Sequence, residues 1–485
     1  MTLTPNIERT LWNISNQLRA TLKTSECSIA VLGIVFLRYV DCNKNGFLFL
    51  PDIARFSYLI GLPKKRAIGK AINVAMFAVE EKNVELTGLL PKIYHKVEDK
   101  VLVSILKEFS AITVDICSDV LGNIYEYFLS KFAVVDGQLF GEYFTPESIA
   151  KLIVYILSPL QGKIYDPACG SGGMFIQCAK SFEKDNNRIV YGQENNLETI
   201  GLCKMNLAVH GLTGDIRHGS IYYDVPCDNI GVFDFVISNP PFNARGIDKE
   251  KLWNDKRFPY GLPKTDNGNY IWIQIFLSAL NDKGRAGFVM ANSASDAKYS
   301  ELEIRKRLID DGVVDVIISV APYFFYPTVL PCTIWFFDKE KKTSGHKDTV
   351  LFIDASHIYK QIDRTHRSFS AEQIEFISNI VRLYRGEPIK TEAEGDNLTY
   401  KTFPNGKYQD VTGLCKAESL KNIREIGYSL NPSRYVGIVA TTISNSEFYS
   451  TLKELNYELQ HLNSKANRLG EKISSDISKM LEGKE

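Results

Sequence analysis

The chain has little of what would place it in a membrane, outside the cell, or on a polyanion by charge alone. Nowhere in its 485 residues does an uninterrupted apolar run reach the roughly eighteen positions a spanning helix needs. The first segment, Met1-Thr-Leu-Thr-Pro-Asn-Ile-Glu8, lacks the basic start and apolar core of an export signal. A cytoplasmic, soluble protein is therefore expected. The nine cysteines, Cys27, Cys42, Cys117, Cys169, Cys178, Cys203, Cys227, Cys332 and Cys415, include no Cys-x-x-Cys pair. An odd, scattered set argues against a zinc site or a disulfide framework and for reduced thiols. Charge of one sign is also missing, because 57 Lys and Arg balance 57 Asp and Glu. Global charge thus advertises no nucleic-acid partner. There is no internal repeat and no low-complexity tract.

What is present is an ordinary globular balance, 45% apolar and 24% charged, with length enough for about three domains. From Ile7 to about Ser130 the apolar spacing is helical. Leu11, Ile14, Leu18 and Leu22 share one face, and Ile29, Leu32, Val35 and Phe36 share another. This predicts an all-helical region over residues 1–135. Short β-rich runs follow at Lys163–Asp166, Ile189–Glu194, Phe233–Ser238, Ala286–Met290, Val313–Ser319, Thr333–Phe337 and Val350–Asp354. Helix-length segments separate them, which predicts an α/β fold with a doubly wound, mostly parallel sheet across residues 136–390. Glu387–Asn405, rich in Gly, Pro, Thr and acids, reads as a linker opening a last region, 391–485. There Phe448, Leu452, Leu455, Leu459, Leu462, Ala466, Leu469 and Ile473 recur at spacings of four and three, a heptad seam. Such a seam packs on its own chain or on a partner helix, and its narrowness favours the partner. Gly470 inside it costs about 1 kcal/mol of helix propensity.

Chemistry concentrates between Gly141 and Tyr326. Asp166-Pro-Ala-Cys-Gly-Ser-Gly-Gly-Met174 places Gly170, Gly172 and Gly173 after a strand, where backbone amides can approach a ligand at a helix start. The spacing is not the Gly-x-Gly-x-x-Gly of dinucleotide sites. The next strand ends at Glu194, placed to accept hydrogen bonds from ribose hydroxyls. Upstream, Gly141-Glu-Tyr-Phe-Thr-Pro146 is expected to open a helix with Thr145 as N-cap and Pro146 at the first helical position. The preceding residues suit a loop that closes over a ligand. Asn239-Pro-Pro-Phe242 points to methyl transfer onto a planar amine. The Asn239 side-chain carbonyl and the Pro240 backbone carbonyl can hold both N–H bonds, favour a pyramidal nitrogen and stabilise the charge that grows on it. Phe242 can stack on the ring. Between Asn243 and Tyr270 lie Arg245, Lys249, Lys251, Lys256, Arg257 and Lys264 with Trp253, Phe258 and Tyr260. That stretch reads equally as a substrate loop or as an ordinary solvated loop.

Taken in order, Gly-Glu-Tyr-Phe-Thr-Pro, Asp-Pro-Ala-Cys-Gly-Ser-Gly-Gly-Met and Asn-Pro-Pro-Phe resemble the modification subunits of type I restriction-modification systems, which are N6-adenine DNA methyltransferases. Leu11–Arg19, Leu32–Asp41, Arg257–Pro263, Ile304–Ile309, Phe324–Thr328 and Gly427–Tyr435 resemble further segments of that family, so nearly the whole chain is covered. The resemblance implies a Rossmann-like methyltransferase domain, S-adenosylmethionine as donor, and an adenine flipped out of double-stranded DNA. It places Asn239, Pro240, Pro241 and Phe242 at the target base. It places Tyr143, Phe144, Thr145, Asp166, Ala168, Gly170, Ser171, Gly172, Gly173, Glu194 and Ser220 around the cofactor, and it implies no metal. One departure is His218-Gly-Ser220, where the family usually has an acid after the glycine. The family also implies a separate specificity subunit, generally bound by two modification subunits and docked through the heptads, and a restriction subunit for cleavage. Two other readings of the motifs are N5-methylation of a protein glutamine and a non-catalytic cofactor-binding scaffold.

Overall fold

The computed structural model describes residues 13–14, 17–18, 21–43, 48–62, 67–110, 121–122, 124–127, 129, 145–158, 161–181, 188–224, 229–325, 329, 331–391, 398–438 and 445–482. They fall into two units, Met1–Gly437 and Ile438–Glu485.

The first unit begins with helices α1 (Thr24–Cys42), α2 (Phe56–Gly61), α3 (Ile68–Lys82) and α4 (Asp99–Ser110). Helix α1 is apolar on nearly every side, the pattern of a helix buried all round. Val31, Leu32, Ile34, Val35, Phe36 and Leu37 are fully enclosed, and Ile14, Leu18 and Leu22 join the same core. Gly33 is a packing necessity, since a Cβ there would lie 2.4 Å from the Tyr94 Oη. That hydroxyl, itself buried, donates to the Ala30 carbonyl at 2.9 Å. Cys42 is disulfide-bonded, which corrects the expectation of reduced thiols throughout. Tertiary proximity makes such a bridge, and spacing along the chain does not reveal it. Cys27, Cys169, Cys178, Cys203, Cys332 and Cys415 are buried.

The sheet that follows has nine strands in the order β11-β8-β6-β7-β5-β4-β1-β2-β3. They are β1 (Gly162–Asp166), β2 (Arg188–Glu194), β3 (Gly214–His218), β4 (Phe233–Ser238), β5 (Leu280–Ala291), β6 (Val314–Val320), β7 (Cys332–Asp338), β8 (Thr349–Ala355) and β11 (Cys415–Ser419). A separate hairpin pairs β9 (Lys360–Asp363) with β10 (His366–Ser368). Only β7 and β11 run against the rest. Six of the seven expected strand runs lie within an observed strand, and the seventh, Val313–Ser319, overlaps β6 with both ends shifted by one residue. Helices α5 (Glu147–Leu157), α6 (Gly173–Ser181), α7 (Leu197–Val209), α8 (Asn269–Ala279), α9 (Ser300–Asp310) and α10 (Ala371–Arg385) are interleaved with the strands.

From β1 the chain moves outward to β2 and β3, then returns to place β4 on the opposite side of β1. That reversal opens a crevice at the carboxyl ends of β1 and β4, where open α/β sheets bind ligands. Helix α7 serves both regions, because Leu202, Met205, Ala208 and Val209 belong to the N-terminal helical core. The Tyr125 hydroxyl donates to the Leu202 carbonyl at 3.1 Å.

Within the stretch expected as a linker, Lys390 exchanges two hydrogen bonds with the Asn379 side chain, and Thr399 of α11 (Leu398–Thr402) is fully buried. Strand β11, followed by α12 (Leu420–Glu425), then adds an antiparallel edge to β8. The second unit is one helix, α13 (Asn445–Glu482), of 38 residues, about 57 Å at the usual rise. It runs unbroken through Gly470, and its seam residues Leu452, Leu455, Leu459, Leu462, Leu469 and Ile473 are each at least half exposed.

Candidate functional site

The glycine turn is stapled in place by its neighbours. Gly170 and Gly172 adopt positive φ angles of 50° and 80°, so the backbone reverses before α6 begins at Gly173. A Cβ on Gly172 would lie 2.9 Å from the Cys203 Sγ, which leaves glycine as the residue that fits both the space and the angle. The Cys169 N–H donates to the Gln193 carbonyl at 3.1 Å, and the Asn206 amide donates to the Ser171 carbonyl at 2.8 Å. The Gly170 N–H donates to Glu194 Oε2 at 3.2 Å. The other oxygen of Glu194 accepts from Asn195 at 2.6 Å and Asn196 at 2.9 Å, while Asn196 caps α7. Glu194 is thus a buried carboxylate held by three backbone amides.

Asp166, at the end of β1, is 1% exposed. Its Oδ1 accepts from the Ala168 N–H at 3.0 Å and from the Ser238 hydroxyl at 2.8 Å. Burial pushes its pKa up to about 7 against those two bonds, and the Glu194 carboxylate adds to the rise.

Two sequence expectations meet a different local geometry here. The N-cap of α5 is Pro146 and has no side-chain cap bond, so Thr145 precedes the cap. With its extended backbone, Pro146 offers its own carbonyl to Ile149 and Ala150. Tyr143 and Phe144 lie outside the described residues. After β3, the Ser220 N–H donates to Asp224 Oδ2 at 2.9 Å, and the Ser220 Oγ accepts from the Tyr222 N–H at 3.3 Å. The turn therefore brings a carboxylate back to position 220 from four residues downstream.

The Asn-Pro-Pro-Phe motif emerges directly from β4. The Asn239 Oδ1 is buried and has no hydrogen-bond partner. Pro240 is buried and Pro241 exposed, and the half-buried Phe242 meets Phe325 edge-on at 6.2 Å between centroids. Sequence reading missed what holds this motif. Asn243 sits in the left-handed region at φ 53°. Its N–H donates to Asn269 Oδ1 at 2.9 Å, and its Oδ1 accepts from the Asn267 and Asn269 amides at 3.0 Å each. Asparagine tolerates that conformation better than most residues. The only cue in the sequence was the Asn-Gly-Asn cluster at 267–269.

The loop after the motif divides its cations between two jobs. Arg257 is buried, donating to the Ile221 and Tyr222 carbonyls at 2.6 and 2.7 Å and pairing with Asp255. Phe258 is buried as well, whereas Arg245, Trp253, Lys256 and Lys264 stay exposed. The loop is thereby pinned to the turn that follows β3.

Residues 117–443 match the family described as N-6 DNA Methylase, and residues 7–109 match the HsdM N-terminal domain. The chain belongs to the N-6 DNA methylase family. It is 33% identical to the type I restriction enzyme MjaIX methylase subunit of Methanocaldococcus jannaschii, over 97% of this chain and 91% of that protein. With the HindI methylase subunit of Haemophilus influenzae it shares 32% identity over 85% of this chain and 93% of the other. A type I methyltransferase subunit from Streptococcus thermophilus has the same fold, with a TM-score of 0.74 at 20% identity over 90% of this chain and 100% of that one. In this N-6 DNA methylase the glycine turn, the Glu194 carboxylate and the Asn-Pro-Pro-Phe motif follow in that order along the chain, and Ser238, just before the last, is hydrogen-bonded to Asp166 at the first.

Proposed function

We propose that this chain is the modification subunit of a type I restriction-modification system and transfers a methyl group from S-adenosylmethionine to N6 of adenine in DNA. The observation that carries the reading is the Asn239 carbonyl oxygen, buried and without a donor. A buried acceptor left unmet costs about 1–3 kcal/mol, and an incoming N–H satisfies it. The Pro240 carbonyl takes the second N–H. Holding both bonds favours the pyramidal nitrogen and stabilises the positive charge that develops on it. Phe242 fixes the plane of the base. Extruding an adenine from duplex DNA costs a few kcal/mol, which these contacts offset.

The residues present fit the cofactor. Gly170 and Gly172 turn the backbone through left-handed angles ahead of α6, a Cβ at Gly173 would meet nothing within 4 Å, and Asp166 and Glu194 place two carboxylates beside the turn. When bound, S-adenosylmethionine supplies the electrophilic methyl. Asp166 in its ionised form attracts the ammonium of the methionine end, and Glu194 uses its remaining lone pairs for the ribose hydroxyls. Ala168, Ser171 and Gly173 line the turn. Ser220, with the Asp224 carboxylate on its amide, faces the adenine end. Thr145 stands at the pocket's edge ahead of α5, and Pro241 stiffens the motif.

Base reading falls to a specificity subunit that binds two copies of this chain, and cleavage to a restriction subunit. The exposed seam of α13 supplies the docking surface for the specificity subunit. The test is methylation of duplex DNA by the purified complex with labelled S-adenosylmethionine. Asn239→Ala is expected to lower turnover by about 100-fold or more while leaving cofactor affinity unchanged. Label that enters protein and never DNA would overturn the reading.

A further inference from the structure

Strands β1, β2, β4, β5, β6 and β8 all point the same way, so their carboxyl ends share one edge of the sheet. The hairpin β9–β10 leaves β8 at that edge, on the side where Asn239 emerges from β4. A chain of contacts links it to the motif. Phe242 meets Phe325, and Phe324 packs on Phe369 at the hairpin's base with 4.5 Å between centroids. The Arg367 N–H donates to the Tyr323 carbonyl at 2.9 Å, and its guanidinium lies 3.9 Å from the Tyr359 ring centroid and 5.4 Å from that of Tyr323. The guanidinium also binds Gln361 across the hairpin. Arg367 and Gln361 therefore occupy the face turned to the body, and alternation along the strand puts Lys360 and Ile362 on the other.

Residues 360–365 are all exposed. In a chain of zero net charge, the nine positions from Lys360 to Ser368 carry Lys360, Arg364 and Arg367 against Asp363 alone. The Asp363 carboxylate is engaged within the turn, where it accepts from the Thr365 N–H at 2.8 Å and its hydroxyl at 3.1 Å, with His366 at 3.9 Å. Glu372, at the start of α10, is held below the usual carboxylate range chiefly by the Ser370 side chain, with a smaller contribution from Lys360.

We propose that this hairpin is a DNA-backbone contact, laying Lys360 and Arg364 on duplex phosphates next to the extruded adenine. The inference rests on the adenine-methylation reading above and adds the surface by which this subunit itself holds the duplex. Phosphate contacts fix position without reading sequence, as suits a subunit whose partner reads the bases. The experiment is salt-dependent binding of a cognate duplex to the complex with the specificity subunit, comparing wild type with Lys360→Ala/Arg364→Ala. Each phosphate contact contributes about 0.9 to the slope of log affinity against log salt. The double variant is expected to lower the slope by roughly 1.8, with cofactor affinity and subunit assembly unchanged, and Lys360→Arg/Arg364→Lys is expected to restore it. An unchanged slope overturns the proposal, and so does loss of assembly, which would make the hairpin a protein-docking element. A wild-type complex that binds cofactor yet neither binds nor methylates DNA would overturn the methylation reading itself.

Discussion

The Ser238 hydroxyl donates to Asp166 Oδ1 at 2.8 Å, tying the residue just before the Asn-Pro-Pro-Phe motif to the carboxylate that opens the glycine turn. This bond stabilises the ionised form of a side chain that burial has raised to about 7. With a folded pKa above the unfolded value of about 3.9, Asp166 binds its proton more tightly in the folded state. Its contribution to the stability of the empty protein therefore falls as pH rises from about 4 to about 7. Cofactor binding runs the other way, because a cationic ammonium prefers the ionised carboxylate. Affinity for S-adenosylhomocysteine, measured by calorimetry, is expected to rise between pH 6 and 8. Asp166→Asn is expected to flatten that rise, and Ser238→Ala to move its midpoint to higher pH.

Asn269 predicts a split between cofactor and base. It is 2% exposed and holds Asn243 by two bonds in a left-handed conformation immediately after Phe242. Asn269→Ala leaves the Asn243 amide unmet, at a cost of about 1–3 kcal/mol. The motif loses its support while the glycine turn keeps its own. Turnover on DNA is expected to fall with cofactor affinity unchanged, and a matched loss of both would refute the assignment.

Gly172 meets two separate constraints, and substitution can separate them. Gly172→Ala pays about 1–2 kcal/mol for a left-handed angle and also forces a methyl against the Cys203 Sγ. Cofactor affinity is expected to fall by 10-fold or more. Adding Cys203→Ala removes the collision but not the angle, so recovery should be partial. Full recovery in the double variant would show that the angle costs nothing here.

These residues also mark how far the sequence could be read. The buried parallel strands announced themselves because both faces are covered, which makes Phe233–Ser238 and Val350–Asp354 continuous β-rich runs. The glycine turn was equally plain, since no other residue combines Gly172's angle and space. Strand β11, Cys-Lys-Ala-Glu-Ser, has no β-branched residue and exists because β8 offers it an open edge. The polar hairpin β9–β10 gave no apolar alternation to read. Asp224 standing in at Ser220, and Asn269 reaching across to Asn243, depend on turns that bring distant positions together. Arg257, one of the cations in the 243–270 stretch, places its guanidinium on the Ile221 and Tyr222 carbonyls, a contact that spacing along the chain does not reveal.

The terminal helix supports a prediction about assembly rather than folding. Its leucines at 452, 455, 459 and 462 are half exposed or more, and it forms a unit of its own. A seam of this length is stabilised when its apolar face meets another helix. Deleting residues 447–485 is expected to leave the melting temperature and cofactor affinity of the chain unchanged and to abolish co-purification with the specificity subunit. Leu455→Asp/Leu462→Asp in the full-length chain should weaken assembly in the same way by placing charge in the seam. If the truncated chain assembles at wild-type affinity, the docking surface lies elsewhere on the first unit.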